Sequence, residues 1–309
     1  MESYKLKTVS ILLLGYTMIA FPSISPEIFS FNIGGFEVAL RWYALSYIIG
    51  FILALYVMKF FLNREYLWSY KTAPMDIEQA DSFLSYLILG VILGGRLGYV
   101  FFYNFEFYME NPEAILRVWD GGMAFHGGFI GVVVAVFGFC KFNGIPLLSA
   151  ADLIALSTPP GLFLGRVANF INAELWGKPT NFSLGVVFPG ERAQDCPEVV
   201  GLCARHPSQL YEAGMEGIIL FIVLIALALL GLLKRPGFIM GIFIAGYGIS
   251  RYIVEFFREA DPQFITSENL FGYVFSFGDF GFSMGQLLSI PMILIGLLAV
   301  LMSSMKKAK

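Results

Sequence analysis

Charge is scarce in this sequence. Only 14% of its 309 residues are Asp, Glu, Lys or Arg, against roughly 25% in a soluble globular domain. With 57% hydrophobic residues and a mean hydropathy of +0.73, there is too little polar surface to cover a soluble body of this size. Cysteine and histidine are scarce as well, at three and two. That is too few for a disulfide scaffold or a zinc cluster, and no Cys/His/Glu spacing supports a metal, so neither metal nor cofactor is expected. No basic patch interleaved with aromatics is present, which removes nucleic acid as a partner. The terminal patterns for myristoylation and prenylation are missing. Alternation of polar and apolar residues is missing too. Runs such as "GIILFIVLIALALLGLL" are apolar throughout, which excludes a β-barrel and leaves helices. No internal repeat is visible, so the inverted-repeat signature of many secondary transporters is lacking.

What is present is a set of long apolar windows. Seven are expected to span a membrane: roughly 43–62, 81–103, 125–142, 152–172, 209–233, 238–257 and 284–304. Each is near the ~20 residues that cross a hydrocarbon core. The fold class is therefore all-α, a polytopic membrane helical bundle of seven transmembrane helices. One set of loops carries Lys59, Arg64, Lys71, Lys141, Lys234, Arg235 and the tail Lys306, Lys307 and Lys309. The opposite set is acidic, with Glu106, Glu110, Glu113, Asp120, Glu191, Asp195, Glu198, Glu259, Asp261, Glu268 and Asp279. The positive-inside rule places the basic set and the C-terminus in the cytoplasm.

Residues 1–22 form an N-terminal hydrophobic extension. Lys5 and Lys7 precede an apolar run short for a span and typical of a signal peptide. It is either a cleaved signal, an uncleaved extra helix or an interfacial helix; no strong A-x-A site follows, which favours retention. The integral membrane domain is then 23–309. Within it, "SPEIFSFNIGGFEVALRWYAL" reads as an outer lead-in segment with a turn or short hairpin. The Pro-, Gly- and charge-rich stretch 173–208 reads as a small outer head. Cys196 and Cys203 lie in this loop: in an oxidising space they form a disulfide, otherwise they are two free thiols. Cys140, at a helix end, packs as a small apolar residue.

Charged side chains near a membrane centre cost about 2.5–3.5 kcal/mol each on insertion scales, so each needs a partner, a cavity or an interfacial position. Most of those in this chain fall near the outer ends of their helices; Asp152 falls at an inner end. In "GGRLGYVFFYN", Arg96 is either a structural arginine paired with a carboxylate or part of an anion site. In "WDGGMAFHGGFIG", His126 stands between two glycine pairs. It is a packing residue or, with an ordinary pKa near 6.5, a general base. In "GRVANFINAELWG", Arg166 and Asn169 share a helix face, with Asn172 on the same half, Glu174 following and Trp176 as an interface anchor. Polar helix–helix contact explains the asparagines but not the arginine. In "SRYIVEFFREADP", Arg251, Glu255 and Arg258 fall within about 60° of one another around a helix. Pairing Glu255 with one arginine leaves a positive charge unmatched, and Glu212 in "RHPSQLYEAGMEG" is placed to neutralise one. Several arginines converging on one end point to a phosphate-bearing ligand near the outer leaflet, such as a phospholipid headgroup. An all-structural ion-pair network is the alternative.

These stretches, together and in this order, resemble the prolipoprotein diacylglyceryl transferases of the bacterial inner membrane. "GRVANFINAELWG" looks like the family signature, and the resemblance runs from about residue 26 to 300. The N-terminal segment is longer than the family's, and Arg41 stands where some members carry His. The resemblance implies transfer of the diacylglyceryl group of phosphatidylglycerol to the lipobox cysteine of a preprolipoprotein signal peptide, with release of glycerol phosphate. It implies His126, Arg166 and Arg251 as catalytic, the arginines on the phosphate and His126 as candidate base. Tyr43, Asn169, Glu174, Glu212, Tyr247 and Glu255 are implied around the headgroup, with Arg96, Asn172 and Arg258 in support. It implies no metal or cofactor, a head at 173–208 and a site opening toward the periplasm; a monomer is the default. A transporter or flippase for an anionic lipid, and a scaffold with all charges paired, are the competing classes.

Overall fold

The computed structural model describes residues 18–33, 36–196, 199, 201–260, 262–266, 269, 271–277 and 280–305. The expectations for residues 1–17, for the basic tail and for Glu198, Asp261, Glu268 and Asp279 lie outside the described residues. Among the described residues, six helices are long and apolar enough to cross a membrane. They are α1 (Trp42–Leu62), α2 (Ile77–Tyr103), α3 (Phe125–Asn143), α4 (Leu147–Ile171), α5 (Ser208–Leu229) and α7 (Met284–Met305). A shorter apolar helix, α6 (Phe238–Val254), has 17 residues and lies where the sixth of the seven spans was expected. Helices dominate, but three two-stranded sheets accompany them. β1 (Ile19–Ala20) runs parallel to β4 (Val186–Val187), β2 (Glu27–Ile33) pairs antiparallel with β3 (Phe36–Arg41), and β5 (Phe275–Phe277) pairs antiparallel with β6 (Phe280–Phe282). The β2–β3 hairpin is the lead-in segment, and the Glu27–Arg41 ion pair at 3.2 Å ties its open end.

The chain divides into two compact units. The first takes residues up to Gly50, Thr158–Val223 and Ile242–Leu298; the second takes Phe51–Ser157, Leu224–Gly241 and Ala299 onward.

In the second unit, α2 begins four residues before its apolar window. Asp76 caps it: its Oδ1 accepts from the Gln79 amide at 2.7 Å, and Gln79 Oε1 accepts from the Asp76 amide at 3.0 Å. α2 and α3 then pack backbone to backbone through glycines one turn apart. A Cβ on Gly131 would stand 2.0 Å from the Gly90 carbonyl oxygen, and one on Gly127 2.3 Å from that of Gly94. Side chains at these positions would force the helices apart, which is why small residues line membrane helix contacts. Arg96, buried in α2, donates to the carbonyls of Ile115, Ala114, Arg117, Gly121 and Gly122. Neither the carboxylate partner nor the anion site expected for Arg96 is needed. Its donors are taken up by the backbone of the loop that leads into α3.

Asp152 has a structural explanation. It is fully buried in α4, and its two oxygens accept from the amides of Gly237 and Met240, each at 2.7 Å. α6 starts on Pro236–Gly237 with no capping side chain of its own, so Asp152 satisfies its first amides from another helix. Asp152→Ala strands two buried donors, at about 1–3 kcal/mol each. The expected outcome is a clear drop in the melting temperature of the detergent-solubilised protein, with Asp152→Asn intermediate because one acceptor oxygen remains.

In the first unit, the stretch after α4 folds over its own small core of Val186, Phe188 and Ala193, packed by Phe21, Phe170, Ala173 and Trp176. Buried Arg205 organises it. Its guanidinium donates to the carbonyls of Ala193 at 2.6 Å, Asp195 at 2.9 Å and Gly177 at 3.3 Å, pairs with Glu259 at 3.0 Å, and sits 4.2 Å over the Trp176 ring. Trp176 therefore packs against this small core. Cys196 and Cys203 are disulfide-bonded, and Gln194 accepts from the Cys203 amide beside them. Cys140 is a buried free thiol.

Candidate active site

The site is built where α4, α5 and the end of α6 bring charge together in the first unit. Arg166 projects from the last turns of α4, Glu212 and Glu216 from α5, and Arg251 from α6. α6 stops at Val254, earlier than the periodicity suggested, so Glu255 stands in the turn that follows and Arg258 just beyond it, bridged to Gly177. Arg251 still meets Glu255 across i,i+4, with Nη2 2.8 Å from Oε2. Arg258 reaches inward from this bridge.

Glu212 is the centre. Its Oε2 lies 2.9 Å from Arg166 Nη1, and its Oε1 receives Arg251 Nη1 and, at 3.3 Å, Arg258 Nη1. Glu216 takes the other edge of Arg166: Nε and Nη2 both donate to its Oε2, at 3.3 and 3.1 Å. Arg166, Arg251 and Arg258 are thus matched by Glu212, Glu216 and Glu255. The positive charge expected to be unmatched is corrected by Glu216, which the sequence reading passed over. The signal was there: Glu216 is one turn beyond Glu212 on a span where any carboxylate is expensive.

Burial decides what the network presents. Glu212 and Glu216 have no exposed side-chain surface, whereas Arg166, Arg251 and Arg258 keep 17%, 20% and 12% of theirs. The carboxylates lie inside and the accessible face is cationic. Tyr247, one turn before Arg251, lies within electrostatic reach of Arg166, Glu216 and Arg251.

Beside the network, the end of α4 is held in an unusual turn. Asn172 closes the helix, and Ala173 and Leu175 follow with φ of 53° and 58°. Left-handed backbone at non-glycine residues costs about 1 kcal/mol or more, so the turn must be held from outside. Asn169 Nδ2 donates to Glu174 Oε1 at 2.7 Å, Gln209 Nε2 donates to the Glu174 carbonyl at 2.5 Å, and Ser208 Oγ donates to the Leu175 carbonyl at 2.9 Å. Asn169 and Glu174 are therefore one unit, fastened to the start of α5. Tyr43 is the second residue of α1, its ring 5.4 Å from that of Tyr47. His126 and Arg96 belong to the second unit; His126 is the second residue of α3, exposed, with its ring 5.7 Å from Phe125.

A buried arginine–glutamate network on apolar helices is what remains to be matched with known proteins. The sequence model of the family described as prolipoprotein diacylglyceryl transferase matches residues 28–302. The chain belongs to this family. It is 54% identical over 285 residues to a phosphatidylglycerol–prolipoprotein diacylglyceryl transferase of Ruegeria pomeroyi, covering 92% of this chain and 97% of that one. The protein of the same name from Roseobacter denitrificans is 55% identical over 280 residues (90% and 95%), and that from Bradyrhizobium diazoefficiens 48% over 290 (93% and 94%). The matched region of this transferase family member contains every site residue named above, from Tyr43 to Arg258.

His206 lies outside the spans in this family member, next to the network's turn. Its Nδ1 is 3.1 Å from the Tyr211 hydroxyl and its ring packs edge-on to Phe257 at 5.2 Å. Burial, with Lys178 adding to it, holds its pKa below the usual 6.5. The unfolded chain then binds a proton here more readily than the folded one. This contribution to stability is present above pH 6.5 and fades as pH falls through the lower folded value. The wild type is expected to lose melting temperature below pH 6.5 more steeply than His206→Gln.

Proposed function

We propose that this protein transfers the diacylglyceryl group of phosphatidylglycerol to the thiol of a lipobox cysteine in a preprolipoprotein, at the outer leaflet of the bacterial inner membrane. The relatives carry both substrates in their names. The observation that supports the reading most is the polarity of the network, with its carboxylates buried and its arginines on the accessible side. Such a face holds the phosphodiester of a lipid whose tails remain in the bilayer.

The cysteine sulfur attacks the carbon of the diacylglycerol moiety that bears the phosphate. A carbon–sulfur bond forms, the carbon–oxygen bond breaks, its electron pair passes to the phosphate oxygen, and glycerol phosphate leaves. Arg166 and Arg251 offset the second charge that grows on the departing phosphate. His126 is the candidate that accepts the thiol proton. Asn169, Glu174, Glu212, Tyr43, Tyr247 and Glu255 order the arginines and the headgroup, with Asn172 and Arg258 in support; Arg96 is structural, holding the loop before α3.

The topology follows the same reading. α6 at 1.5 Å per residue is about 26 Å long and crosses as a seventh span. The C-terminus is then cytoplasmic and the head at 173–208 periplasmic, an oxidising space that suits the Cys196–Cys203 disulfide. The test is incubation of purified protein with phosphatidylglycerol and a lipobox peptide, following the peptide mass. A diacylglyceryl gain that vanishes with a Cys→Ser peptide is expected; no gain, with an active relative run alongside, contradicts the reading.

A further inference from the structure

Resting on the transfer reading, we propose that Glu216 is the positioning residue of Arg166, fixing the plane in which its guanidinium meets the headgroup phosphate. A guanidinium carries five N–H donors. In Arg166, Nε and Nη2 donate to Glu216 Oε2, and Nη1 pairs with Glu212 Oε2. The Glu212 contact is an ion pair without a hydrogen bond, so two N–H groups on Nη1 and one on Nη2 are not hydrogen-bonded to the described residues. Glu212 alone would leave the fork free to swing about a single contact, because its other oxygen is already shared by Arg251 and Arg258. With Glu216 on the opposite edge the fork is held from two sides.

Three features separate Glu216 from a merely structural ion pair. Its other oxygen, Oε1, is buried without a hydrogen-bond partner among the described residues, as is one oxygen each of Glu212 and Glu255, so all of its hydrogen bonding is spent on Arg166. Second, Glu216 comes from a π-helical segment, Ala213–Ile219, within an otherwise α-helical span. Such wide turns rotate the residues they carry, and they concentrate at functional sites. Third, that segment is pressed directly against α4, which carries Arg166. A Cβ on the neighbouring Gly217 would stand 2.6 Å from Phe163 Cβ and 2.9 Å from its Cα. The two backbones have no slack, so the Glu216–Arg166 geometry is fixed by packing.

The test is steady-state transfer, with phosphatidylglycerol varied in mixed micelles, per molecule of folded protein. Glu216→Gln keeps the shape and removes the charge; kcat is expected to fall by about tenfold to a hundredfold, the scale of misplacing a positioned group, while KM for phosphatidylglycerol stays within about threefold. Glu216→Asp keeps the charge but shortens the arm, and gives the same split should the glutamine variant fail to fold. Unchanged kcat in the folded variants, or a rise in KM alone, overturns the assignment. Absence of transfer by the wild type overturns the transfer reading itself, and this assignment with it.

Discussion

Arg166→Lys and Arg251→Lys are each expected to lower transfer by about 10²-fold to 10³-fold while the protein still folds and inserts, the scale of removing one preorganised donor from a developing negative charge. Lysine is the informative substitution. Alanine at 166 would abandon Glu216, fully buried, with its Arg166 partner removed, and about 3–5 kcal/mol of lost stability would be read as lost catalysis. Lysine keeps a cation beside the carboxylates but removes the planar fork. Arg166 uses three of its nitrogens at once, two on Glu216 and one on Glu212, which an ammonium cannot reproduce. Turnover per folded molecule is the measurement, and full activity in both variants contradicts the phosphate-clamp role.

The second large effect belongs to Glu212, and it falls on stability first. This carboxylate meets three arginines, so Glu212→Ala confines Arg166, Arg251 and Arg258 with Glu216 and Glu255 only. Breaking a buried pair costs about 3–5 kcal/mol because a charge is left behind, and here it also leaves like charges facing one another. Little folded protein is expected from Glu212→Ala at growth temperature. Glu212→Gln, which retains one acceptor oxygen, is expected to fold with a lowered melting temperature. A melting temperature unchanged in both would mean that the arginines are held by something other than this residue.

Much of this was legible in the sequence because a membrane makes polar residues conspicuous. The apolar windows lie on helices α1 to α7, with boundaries that move where capping lies outside the apolar run, as at Asp76 and Gln79 in α2. Arg166, Arg251, Arg258, Glu212 and Glu255 were singled out one by one from their cost in an apolar span, and the structure gathers them into one network. What was not legible was which partner each would take. Arg96 looked like an arginine in search of a carboxylate, yet backbone carbonyls of a loop eighteen to twenty-six positions away in sequence satisfy it. Asp152 looked isolated because the amides it caps belong to another helix far along the chain. Glu216 is not distinguished by the sequence because Glu212, in the same stretch, already supplies a carboxylate to the arginines. Arg205 carries no signal in the sequence beyond its charge in a polar stretch, and only the fold shows it buried under Trp176.

The most direct measurement follows phosphorus and sulfur together. Phosphatidylglycerol, a lipobox peptide and the purified protein are incubated, glycerol phosphate is followed by phosphorus NMR and the thioether peptide by mass. One phosphate monoester released for each peptide modified, both lost together in Arg166→Lys, is the expected result. Peptide modification without monoester release, or release that continues unchanged in Arg166→Lys, would contradict a transfer in which the arginine network holds the departing phosphate.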